Sequence, residues 1–76
     1  MTLDELKAEA EEVAGALAVT NGPPPNDLRN RFIAVRAELF QRGVFDPILA
    51  RFDTVTVPRA STPEIAEELK RIAESL

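Results

Sequence analysis

The sequence predicts an all-α fold, a small bundle of three longer helices and one short helix with an extended connector near residues 53–58. Three observations carry this expectation. Apolar residues recur at spacings of three and four in three separate stretches, the period of helices that each bury one face. Each helical stretch begins near a capping or proline signal, and the breaks after the first two contain Gly22 and Gly43. The only stretch with strand-like alternation, Thr54 to Val57, is too short to form a sheet and has no second strand to pair with. The 76 residues fit one domain, 1–76, whose core only just offsets conformational entropy.

Taken in order, Thr2-Leu3-Asp4-Glu5 matches a capping box, in which a threonine side chain and a glutamate three residues on satisfy each other's free amides. Leu3, Leu6, Ala10, Val13 and Leu17 then form one narrow seam, flanked by Ala14, with Glu5, Glu9 and Glu12 on the solvent side. Gly15 weakens the last turn by about 1 kcal/mol relative to alanine. Asn21-Gly22-Pro23-Pro24-Pro25 ends this helix, because consecutive prolines lack amide donors and hold the chain extended.

Asn26 to Gly43 is expected to be the central helix. At 100° per residue Leu28, Phe32, Val35 and Leu39 form one seam and Ile33 and Phe40 a second, with Arg29 and Arg36 between them. Two apolar seams call for two sets of neighbours. Asn26 or Asp27 is the expected cap and Gly43 the stop. Asp46 then caps a short helix from about Pro47 to Phe52, with proline at the favoured first position and Phe45 and Phe52 plugging the core beneath it. In the connector, Val55 and Val57 either drop onto the core or pair residues 54–57 with a second copy. Thr62-Pro63-Glu64 opens the last helix, whose stripe is Ile65, Leu69, Ile72 and Leu76 with Ala66 and Ala73 beside it, and in which Glu67 and Arg71 form a four-residue pair.

The composition narrows the chemistry. Histidine and cysteine are absent, which removes disulfides, thiolate or imidazole metal sites and the usual acid–base and nucleophilic constellations. The two serines, Ser61 and Ser75, lack a nucleophile-elbow context, and the three glycines are too far apart for a phosphate loop. Only carboxylates remain as reactive groups, and they fall on outer faces. The expectation is therefore a non-enzymatic chain with no cofactor, no metal and no evident small-molecule substrate. No apolar run is long enough to span a bilayer and the N-terminus lacks the order of a signal peptide, so a cytoplasmic protein without membrane attachment is expected.

The formal charge of −4 disfavours broad attachment to nucleic acid, although the Asn26 to Gly43 stretch is itself basic and the terminal helices acidic. Arg31 and Arg42 project away from Arg29 and Arg36, so the four arginines do not make one patch. Arg29 and Arg36 either bridge to acids on neighbouring helices or, beside Ile33 and Phe40, form an interface centre. The leading expectation is a small protein–protein interaction module, an accessory or regulatory subunit that binds a protein partner or itself through Arg29, Ile33, Arg36 and Phe40. The alternative is a nucleic-acid-associated regulator that uses the arginines of the same helix.

Overall fold

A computed structural model describes residues 1–51 and 62–76, and these form four helices: α1 (Leu3–Ala18), α2 (Asn26–Gln41), α3 (Pro47–Ala50) and α4 (Thr62–Ser75). The all-α expectation holds, with three longer helices and one short one. The expected connector at 53–58 lies outside the described residues, as do Phe52 and the proposed pairing of residues 54–57. No helix among the described residues is long and apolar enough to cross a membrane.

The helix at the centre is α1, not α2. It packs extensively against α4 and also against α2, while α2 and α4 share no comparable contact. Its buried residues Leu6, Ala10, Val13, Ala14 and Leu17 cover an arc of about 100° at helical spacing, and the two alanines let both neighbours come close. By contrast, the buried residues of α2, Leu28, Phe32, Val35 and Leu39, form only its first seam. Leu3 does not join the α1 seam; it sits in the first turn, 46% exposed.

Both neighbours run antiparallel to α1. At the end of α2 the Arg42 guanidinium donates to the Met1 carbonyl, and midway along it Arg31 reaches Glu9 and Glu12. At the start of α4 the Thr62 hydroxyl donates to the Gly22 carbonyl at 3.1 Å, tying α4 to the loop that follows α1. The four stripe residues of α4 meet this core, three of them buried and Leu76 partly so. Together the buried side chains form one cluster, in which Phe32, Leu6, Leu17, Leu39, Leu49 and Leu69 are fully enclosed. A fully buried leucine or phenylalanine stabilises the fold by about 1.5–3 kcal/mol.

Local chemistry explains the helix ends. Both halves of the Thr2–Glu5 capping box form, the Glu5 amide donating to the Thr2 hydroxyl at 3.2 Å and the Thr2 amide to the Glu5 carboxylate at 3.3 Å. The N-cap of α2 is Pro25, one residue before the expected caps, and no side chain bonds there; its extended backbone suffices to start the helix. The α2 C-terminus closes as a Schellman motif: the Gly43 amide bonds to the Phe40 carbonyl at 3.0 Å and the Val44 amide to the Leu39 carbonyl at 2.9 Å. Gly43 takes the left-handed φ of 81° that this closure requires. Asp46 caps α3, accepting from the Ile48 and Leu49 amides at 2.9 and 3.2 Å.

Candidate functional site

The residues singled out from the sequence, Arg29, Ile33, Arg36 and Phe40, form one continuous face along α2, and all four are partly buried. Ile33 leans on the edge of the core. The lower end of the face is built jointly with the chain that follows α2, because the turn at Gly43 brings Val44 to Ala50 back beside Arg36 and Phe40.

Arg36 organises this junction. Its guanidinium donates to the Leu49 carbonyl at 3.0 Å and lies 5.7 Å from the centre of the Phe32 ring. A four-residue helix leaves most of its carbonyls without an internal partner, and Arg36 supplies one from the neighbouring element. The expected bridging of Arg36 to acids on a terminal helix is thus replaced by capping of α3. Partial burial lowers the Arg36 pKa, and the nearby positive charge of Arg29 lowers it further, so the two guanidiniums repel each other across this face. The bridge to a terminal helix is made instead by Arg31, through Glu9 at 2.7 Å and Glu12 at 3.1 Å, and these carboxylates raise the Arg31 pKa. Arg42 pairs with Glu38 at 3.5 Å. The arginines therefore serve separate places on α2, and no single basic patch results.

Phe45 is the residue the sequence reading misplaced. It does not plug the core; its side chain is 74% exposed, and its ring lies 5.4 Å from that of Phe40 in a tilted arrangement. The buried plug beneath α3 is Leu49. A signal for this was present, since Phe45 precedes the Asp46 cap, where an apolar residue packs against the fourth residue of the helix, and that fourth residue is Ala50, too small to cover a ring. Phe40, Phe45, Pro47 and Ala50 with Asp46 line an open depression of about 230 Å³.

On α4, Arg71 pairs with Glu68 and, at 3.6 Å, with Asp46, and not with Glu67 as its four-residue spacing suggests. Arg71 thus also ties α4 to the α3 cap. Among the described residues no three carboxylates converge as a metal site, and no buried side-chain polar atom lacks a partner. What the α2–α3 junction offers is the exposed Phe45 ring stacked at an angle on the partly buried Phe40, beside two mutually repelling arginines. No protein-family model, curated protein or solved structure matches the chain.

Proposed function

We propose that this chain is a small cytoplasmic, non-enzymatic protein–protein interaction module, an accessory or regulatory subunit that engages its partner through the α2–α3 junction. The exposed Phe45 ring beside Phe40 carries this reading. An aromatic side chain left largely in water forgoes much of the roughly 1.5–3 kcal/mol that burial provides, and aromatic residues with arginine are enriched at the centres of interfaces. Ile33 and Phe40 extend the apolar strip, and Arg29 and Arg36 border it with positive charge. A partner surface carrying an apolar ridge flanked by negative charge complements this face, since its apolar part would cover the Phe45 ring and its charge matches the positive border.

Phe45→Ser tests the proposal without removing core. The variant is expected to keep the wild-type melting temperature within the range of ordinary surface changes, about 0.5 kcal/mol. A pull-down from the native host with both baits, read by mass spectrometry, should show a protein retained by the wild type and lost by Phe45→Ser. Sedimentation of the two purified proteins separates a foreign partner from self-association. Identical capture by both baits together with identical sedimentation removes the junction as the binding surface.

A further inference from the structure

A second surface, remote in sequence from Phe40 and Phe45, lies in the seam between α1 and α4. It is an open groove of about 530 Å³ whose apolar part is made by Ala14, Gly15 and Ala18 on α1 and by Pro63 and Ala66 on α4. The charged lining comes from Glu11, Glu67 and Glu74, with Lys70 as the one base among them. On each helix these residues follow the three-and-four spacing of a single face. From Pro63 to Glu74 the α4 wall rises about 16 Å, or three helical turns. Because α4 runs antiparallel to α1, as the Thr62–Gly22 bond shows, Glu11 and Glu74 lie toward one end and Ala18 and Pro63 toward the other.

Gly15 gives an independent reason to regard the groove as occupied in function. A glycine inside a helix costs about 1 kcal/mol relative to alanine, so its use there calls for a conformational or packing reason. Neither exists among the described residues: Gly15 has no left-handed φ, and a Cβ built on it meets none of their atoms within 4 Å. A bare backbone facing an open groove suits the close approach of something from outside. The occupant's charge follows from the walls. Three carboxylates against one ammonium repel an acidic ligand, and in a two-fold pairing of the groove with itself each acid-rich lining would meet another.

We infer that the α1–α4 groove receives an amphipathic helix of about three turns from a partner protein, its apolar stripe seated on Ala14, Gly15 and Ala66 and its flanking lysines or arginines meeting Glu11, Glu67 and Glu74. The inference stands apart from the Phe40–Phe45 surface, and a chain with both surfaces joins two partners or clasps one on two sides.

A nuclear magnetic resonance titration of the full chain tests it. The probe is a side-chain-stapled helical peptide with a leucine–alanine stripe flanked by lysines; the control carries glutamates in place of the lysines. The lysine peptide should shift the amides of Ala14, Gly15 and Ala66, bind about tenfold more tightly than the glutamate peptide, a difference of about 1.4 kcal/mol, and weaken as salt rises. Gly15→Leu should fill the groove and weaken binding about tenfold or more while its spectrum stays that of a folded chain. If that variant does not fold, the double reversal Glu67→Lys and Glu74→Lys on the exposed wall should give the same loss. The inference is overturned if the lysine peptide does not bind, if the two peptides bind equally, if the shifts centre on Phe45, or if the blocking variant binds undiminished. Concentration-dependent shifts at the groove without peptide also overturn it, by assigning the surface to a second copy.

Discussion

Arg36 shows how one side chain can be shared between structure and recognition. Its guanidinium holds the α3 backbone through the Leu49 carbonyl, while its position beside Arg29 keeps positive charge on an outward face. Thr2 and Glu5 have a purely local role and therefore permit a simpler prediction. The Thr2 hydroxyl, followed by the Thr2 amide, holds the Glu5 carboxyl below the usual glutamate range. A carboxyl depressed in the folded state stabilises the fold above its unfolded value of about 4.3 and loses that contribution as pH falls through the folded value. Thr2→Ala should cost about 1 kcal/mol at neutral pH, and the difference from wild type should shrink in urea titrations carried below pH 4. A difference that stays constant into acid would show that the Glu5 half of the box contributes nothing. This box was legible from four consecutive residues because its partners are neighbours in sequence. The arginine destinations were not, since helical projection gives a direction but not the element that arrives there: Arg31 meets α1, and Arg36 meets a carbonyl thirteen residues on.

At the scale of elements, the helices themselves were plain in the apolar spacing, and all four begin within a residue or two of their signals. Their ranking was not. The two apolar seams favoured α2 as the centre, whereas the chain places α1 there, because alanines at 10 and 14 admit two neighbours where large side chains admit one. The outward face of α2 was legible as a second seam, but Phe45, which completes the candidate site, was assigned to the core although Ala50, the fourth residue past the Asp46 cap, is too small to cover its ring. Two glycines make opposite predictions from the same substitution. Gly43 is left-handed at the end of α2, so Gly43→Ala should destabilise by about 1–2 kcal/mol. Gly15 has open space and no left-handed φ, so Gly15→Ala should stabilise by about 0.5–1 kcal/mol. Thermal melts of the two variants should move in opposite directions from wild type. A fall for Gly15→Ala would mean that α1 needs the glycine within the chain, and would remove the internal argument for the groove.

For the molecule as a whole, the placement of α1 between α2 and α4 decides how it unfolds. Among the described residues the buried side chains form one cluster with no second core to survive alone, and α2 and α4 lean chiefly on α1. A lesion on α1 is therefore felt by both neighbours. Leu17 is fully enclosed near the end of α1, at the level where α4 begins and the proline loop turns toward α2. Leu17→Ala removes its burial and leaves a cavity, a loss of about 2–5 kcal/mol in measured series. A domain of this size has only about 3–5 kcal/mol to lose, so the variant should be largely unfolded at 25 °C. The loss should also be cooperative: helical circular dichroism and the dispersed methyl resonances of α2 and α4 should disappear together in a denaturant titration of a milder variant, Leu17→Val. If the α2 methyl signals persist after those of α1 have gone, α2 holds together without the central helix and α1 is not the element through which the fold is stabilised.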